Sequence, residues 1–160
     1  MSIQIFITGG TFDKEYNEIT GKLYFKDTHL KEMLSMGRSQ LDVKITTLMM
    51  IDSIDMTNDD RDIILEACKN CLLDKIIITH GTDTMTNTAK AIAKEKLDKT
   101  IILTGALIPY EFGSSSDGFF NLGCALSFVQ TLPKGIYITM HGEYFDWSSV
   151  KKNKKKETKY

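Results

Sequence analysis

The sequence predicts an α/β fold of three layers, αβα, in which a doubly wound, mainly parallel sheet carries a flavodoxin-like strand order, 2-1-3-4-5, at its core. Three observations predict it. Five short runs rich in Ile, Val and Thr recur along the chain, helical apolar patterns fill most of the gaps between them, and the runs are apolar almost throughout instead of alternating. Near-continuous apolar strands are those buried on both faces, and strand, helix, strand repeated to the end of the chain calls for parallel pairing with crossover helices.

Taken in order, Ile3–Thr8 is the first strand, followed by a long polar segment, Gly9–Phe25, that predicts no regular element. A short helix is expected over Leu30–Met36 and a second strand over Val43–Met50. Asp59–Leu73 reads as a longer helix: Thr57 is its N-cap and Asp60 stands three residues on, in the spacing of a capping box. The third strand is Lys75–Thr79, then a helix over Asp83–Leu97 and a fourth strand, Thr100–Thr104. Gly105–Ser116 is again long and irregular, before a helix over Asp117–Gln130 and a fifth strand, Gly135–Met140. Connections this long within a compact domain are usually functional.

Composition narrows the class. The chain has 160 residues, 20 Lys+Arg against 21 Asp+Glu, and 42% apolar residues, the profile of one ordinary globular domain. A net charge of −1 argues against a dedicated nucleic-acid binder, and no apolar run is long enough to span a bilayer. MSIQIFITGG lacks a basic n-region, so a cytoplasmic address is expected. The balance hides one asymmetry: residues 151–160 hold six lysines and Glu157, a local +5 that reads as a solvated tail. Cys68 and Cys71 have CxxC spacing but lie inside a helical apolar pattern, which predicts packing and not redox chemistry.

Open α/β sheets bind ligands beyond the carboxyl ends of their strands, where the strand order reverses. Small, polar and Gly residues collect at that edge here: Thr8-Gly9-Gly10-Thr11 after the first strand, Asp52-Ser53 after the second, Thr79-His80-Gly81-Thr82-Asp83-Thr84 after the third and Thr104-Gly105-Ala106 after the fourth. Order 2-1-3-4-5 sets the first and third loops side by side, with Thr11 opposite Thr82 and Asp83. Gly9-Gly10 permits a sharp turn, and the following hydroxyl is a nucleophile only with help nearby. Thr82 and Asp83 offer a second hydroxyl, a carboxylate and a helix start able to hold an oxyanion, although all three residues from Thr82 to Thr84 are also good N-caps. A dinucleotide site is disfavoured, since the first loop lacks the third glycine of G-x-G-x-x-G. Neither GxxxxGK[ST] nor G-x-S-x-G occurs, the three histidines make no metal site, and His80 reads as structural.

Thr8-Gly9-Gly10-Thr11-Phe12 and Ile78-Thr79-His80-Gly81-Thr82-Asp83-Thr84-Met85 resemble the two signatures of the bacterial-type L-asparaginases, amidohydrolases with a threonine nucleophile. Asp52-Ser53, Thr104-Gly105-Ala106 with Pro109, and Ser116-Asp117-Gly118 with Asn121-Leu122 extend the similarity along nearly the whole chain. It is to the family's N-terminal domain only, so residues 1–150 are expected to form an asparaginase N-terminal-type catalytic domain, with 151–160 a lysine-rich tail carrying the catalytic lysine.

The resemblance implies that Thr11 attacks the side-chain amide of L-asparagine from a mobile loop, and that Thr82, Asp83 and Lys152 form a second catalytic group. Ser53 and Asp83 would hold the substrate's carboxylate and amino groups, with Gly10, Gly81 and Thr82 completing the pocket. Tyr16 or Tyr24 would assist the nucleophile. No cofactor or metal is implied, and a homodimer or higher homo-oligomer is expected, since relatives complete the pocket with a C-terminal domain from a neighbouring subunit. Ile54 departs from the family, which commonly has a polar substrate-binding residue there. The resemblance also leaves open an asparagine- or aspartate-binding sensor, and an amidase component that needs a partner protein.

Overall fold

A computed structural model describes residues 1–152. The central sheet has six strands in the order β4-β1-β5-β6-β7-β8, from β1 (Ser2–Gly9), β4 (Asp42–Ile51), β5 (Lys75–Thr79), β6 (Thr100–Thr104), β7 (Gly135–Met140) and β8 (Glu143–Asp146). The first five pair in parallel and only β8 runs antiparallel, against β7. The predicted order 2-1-3-4-5 is therefore present, with one edge strand added. A separate hairpin joins β2 (Lys14–Asn17) to β3 (Lys22–Phe25), so part of the segment expected to be irregular is regular.

Helices α1 (Leu30–Met36) and α4 (Gly118–Thr131) cover one face, and α2 (Asn58–Asn70) and α3 (Met85–Ala93) the other. The sheet's own residues alternate between the two cores. Ile76 and Ile78 of β5 pack with Ile64 and Ile92, whereas Ile77 packs with Leu30, Met33 and Leu122, all fully buried or nearly so. Each such side chain contributes roughly 1.5–3 kcal/mol relative to exposure, which is why the central strands read as unbroken apolar runs.

The capping box predicted for α2 is present in both halves: Asp60 N donates to Thr57 Oγ1 at 3.2 Å and Thr57 N donates to the Asp60 carboxylate at 2.8 Å. At its other end, Lys99 Nζ donates to the carbonyls of Cys68 and Cys71 at 2.6 and 2.5 Å, satisfying groups the helix leaves open. Cys68 is fully buried and burial pushes its thiol up to about 12, so it is a packing residue. Helix α3 begins at Met85, two residues later than expected, because Asp83 and Thr84 are engaged elsewhere.

Candidate active site

The strand order reverses at β1, which lies between β4 and β5, so the loops leaving β1, β4 and β5 meet at one edge of the sheet. Strand-end threonines tie that edge: Thr8 Oγ1 donates to the Thr79 carbonyl at 2.7 Å and Thr104 Oγ1 to the Thr139 carbonyl at 2.9 Å. Gly10 then adopts φ 76°, and a Cβ there would lie 2.4 Å from the backbone N of Gly81. Gly81 in turn abuts Ser53, whose Oγ would stand 2.6 Å from a Cβ at position 81. The two glycines thus let three loops meet with no room for a side chain at positions 10 and 81. Thr11 and Thr82 each lie one residue beyond the Gly10–Gly81 contact, which brings together two loops that are 71 residues apart in the chain.

The turn bearing Thr11 is anchored on three sides. Phe12 is fully buried in the core against Leu30 and Ile77. Asp13, also fully buried, accepts from Thr28 Oγ1 at 3.1 Å and from His29 N at 3.0 Å. Burial, opposed by these donors, leaves its carboxyl above the usual range. Lys14 pairs with Asp52 at 2.6 Å, fastening the turn to the end of β4. The expected loop is therefore short and held where Thr11 stands, with the β2–β3 hairpin projecting beyond it.

Around Thr82 the contacts are polar. Lys152 Nζ donates to Thr82 Oγ1 at 2.8 Å and to Asp83 Oδ1 at 2.8 Å, forming an ion pair whose side chains are 23% and 48% exposed. Ser53 is buried and its Oγ accepts from Thr84 N at 3.1 Å, while Thr84 Oγ1 donates to the Ser53 carbonyl at 2.7 Å. The loop after β6 is held by Asp117, which accepts from Leu107 N, Ile108 N and His141 Nε2 at 3.0, 3.0 and 2.7 Å. Burial raises the Asp117 carboxyl, but those donors outweigh it and hold it below the ordinary carboxylate value.

His80 is fully buried, with Nδ1 2.7 Å from the Gly81 carbonyl and Nε2 2.8 Å from Thr88 Oγ1. Burial lowers it to about 4, so it is neutral, donating from Nδ1 and accepting at Nε2. It is a structural histidine, as its sequence position suggests. Sequence reasoning missed what stands behind it. Arg61 of α2, 9% exposed, donates to Thr88 Oγ1 at 3.2 Å, to the Met56 carbonyl at 3.2 Å and to Thr84 Oγ1 at 2.9 Å. One guanidinium thereby braces both Ser53, through Thr84, and Gly81, through Thr88 and His80. A helical Arg flanked by Asp60 and Asp62 carries no sequence signal of this; it reads as part of a solvated face.

Neither tyrosine reaches Thr11 by a side-chain hydrogen bond among the described residues. Tyr16 packs edge-on against Phe112 and its backbone N donates to Glu111 at 2.7 Å, while its hydroxyl lies beside Gly21 at the hairpin turn. Tyr24 donates to Glu15 at 3.0 Å, which raises its phenol above the ordinary value. Of the expected site residues, Gly10, Thr11, Ser53, Gly81, Thr82, Asp83 and Lys152 gather at the switch point, and Tyr16 stands on the hairpin beside it. Among the described residues no group of three or more His, Cys, Asp and Glu converges to hold a metal, and no helix is long and apolar enough to cross a membrane.

A family model described as "Asparaginase, N-terminal" matches residues 2–159. L-asparaginase 1 of Escherichia coli (strain K12) is 34% identical over 141 residues, 82% of this chain and 41% of that protein. A component of the glutamyl-tRNA(Gln) amidotransferase of Thermococcus kodakarensis is 32% identical over 153 residues, 91% of this chain and 34% of that protein. In structure, L-asparaginase I from Vibrio cholerae superposes with a TM-score of 0.84 at 27% identity, covering 95% of this chain and 48% of that one. The chain spans less than half the length of each of these relatives.

Proposed function

The chain belongs to the asparaginase family, through the N-terminal domain of that family, and on this premise we propose that it is an amidohydrolase converting L-asparagine to L-aspartate and ammonia. The observation that supports the reading is Lys152 Nζ at 2.8 Å from both Thr82 Oγ1 and Asp83 Oδ1, with Thr11 and Thr82 each one residue past the Gly10–Gly81 backbone contact. Two threonines on adjoining loops, one of them bonded to a lysine, suit attack on a carbonyl better than binding alone.

In this mechanism Thr11 Oγ attacks the side-chain amide carbon of the substrate, and the carbonyl oxygen takes up the negative charge. Donors near Thr82 stabilise that oxyanion, the C–N bond breaks, and the departing nitrogen takes up the proton that the Thr11 hydroxyl gave up, leaving as ammonia. Water then attacks the acyl-threonine ester, releasing aspartate and restoring the Thr11 hydroxyl. Lys152, as an ammonium donating to Thr82 and Asp83, orients both; as a base it would act only in its neutral form. Ser53 and Asp83 take the substrate's α-carboxylate and α-amino groups, and Tyr16 assists Thr11 when the hairpin closes. The half-exposed Asp83 leaves the site open on one side, in keeping with a homodimer or higher homo-oligomer in which another subunit completes it in the cytoplasm. Ammonia release from L-asparagine by the purified chain, abolished by Thr11→Ala, tests the reading.

A second reading is favoured by a specific finding: glutamyl-tRNA(Gln) amidotransferase components of Thermococcus kodakarensis and Pyrococcus furiosus match 91% of the chain at 32% identity. On that reading the chain is an amidase component that delivers ammonia to a partner protein. Its signature is low activity alone and stable association with a second polypeptide.

A further inference from the structure

On the face of the sheet opposite α1 and α4, helices α2 and α3 border a cleft of about 460 Å³, within the size range of small-molecule sites. Arg61, Lys90 and Lys94 supply three positive charges to its lining, Asp62 one negative charge, and Asn58 and Asn87 two amides. Arg61 is 9% exposed, and three of a guanidinium's five N–H donors are used, all on neutral acceptors. Among the described residues no carboxylate lies within ion-pair distance of Arg61, Lys90 or Lys94. A charge this buried is ordinarily paired. One N–H left over on each terminal nitrogen of Arg61 and two exposed ammonium groups in the same lining suit a compact dianion, the guanidinium adding hydrogen bonds and the lysines point charge.

We propose that this cleft binds a small molecule bearing a compact dianionic group, a phosphate or a pair of carboxylates, and that its occupancy is transmitted to the candidate active site through Arg61. The route is continuous. From Arg61 one branch runs through Thr84 to Ser53, and the other through Thr88 and His80 to the Gly81 carbonyl. Neutralising the guanidinium, or drawing it toward the cleft, changes the donor that Thr84 and Thr88 receive and so the placement of both substrate-binding loops. The transmission rests on the reading of Ser53 and Gly81 as substrate-binding residues; the binding itself does not.

The test uses the whole chain and a Lys90→Gln/Lys94→Gln variant, both positions being exposed and outside the catalytic group. Each is titrated with inorganic phosphate, and in a second arm with malonate, at constant ionic strength with chloride as reference, by thermal melting and calorimetry. The expected result is a saturable rise in Tm of about 3–6 °C at roughly tenfold excess over Kd, lost in the variant. The tighter of the two anions identifies the class of dianion. A rise no larger than that from chloride, or one equal in both proteins, overturns the site. Where ammonia release is established, saturating anion shifts KM for asparagine by about fivefold in the wild-type chain and leaves the variant unaffected. Unchanged KM beside demonstrated binding overturns the transmission. Demonstrated binding with no ammonia release refutes the amidohydrolase reading and leaves the site standing.

Discussion

Lys152→Met separates catalysis from stability, because methionine retains the apolar stem and removes only the ammonium. In the folded chain that ammonium makes two hydrogen bonds of 2.8 Å, to Thr82 and Asp83, from a side chain 23% exposed. The Asp83 partner is 48% exposed, so the ion pair belongs with surface pairs, which contribute roughly 0–1 kcal/mol to stability. For a chain of this length that corresponds to a Tm lower by no more than about 4 °C. The catalytic effect is larger if Lys152 directs Thr82 onto the reacting carbonyl. Losing one hydrogen bond to a charged group removes about 1.5–3 kcal/mol, which lowers kcat by roughly 10- to 150-fold. Melting curves and steady-state ammonia release from L-asparagine read the two effects on the same samples. A variant with wild-type kcat, or one whose Tm falls far enough to account for its lost activity, refutes the argument. The pH–rate profile adds the role: a slower variant with unchanged profile shape makes Lys152 an electrostatic donor, and loss of a limb makes it the titrating base.

Gly10→Ala forces a Cβ to within 2.4 Å of Gly81 N at φ 76°, and is expected to destabilise the chain by about 2 kcal/mol or more in urea unfolding while abolishing turnover. Thr57→Ala removes the side-chain half of the capping box at the start of α2, the Oγ1 that accepts from Asp60 N, and should lower stability by about 1 kcal/mol with kcat at saturating substrate unchanged. His80 is held near 4 in the folded chain against about 6.5 unfolded, so the unfolded state binds more protons between those values. Stability is therefore complete above about pH 6.5, falls as pH drops toward 4 and loses roughly 3 kcal/mol from this group. Denaturation midpoints measured across that range check it, and a His80 ring that titrates near 6.5 by NMR contradicts it.

The central strands were legible because β1, β5 and β6 are buried on both faces and leave apolar runs with no polar alternation. What escaped is exposed. The hairpin strand KLYF and the edge strand EYFD face solvent along most of their length and KEYN is only half-buried, so neither a continuous run nor a strict alternation marks them. The start of α3 was misplaced for a related reason. Of the three residues with N-cap composition Thr84 takes the N-cap position, but its hydroxyl is spent on Ser53 and Arg61 and Asp83 is held by Lys152, so the helix starts after them without a side-chain cap. The residues at the switch point were readable from glycines and hydroxyls at successive strand ends, a consequence of strand order alone. The bracing network of Arg61, Thr84, Thr88 and His80 was not, because its members come from three elements and only packing brings them together.

The most direct test of the account is ammonia release from L-asparagine and L-glutamine by the purified chain, with Thr11→Ala and Thr82→Ala prepared alongside. The account predicts turnover of asparagine by the wild-type protein and its loss in both variants, each of which folds with a Tm close to wild type. Turnover that survives either substitution contradicts the two-threonine mechanism. Absence of turnover in a protein whose Tm rises with asparagine contradicts the hydrolase and leaves a binding protein in its place.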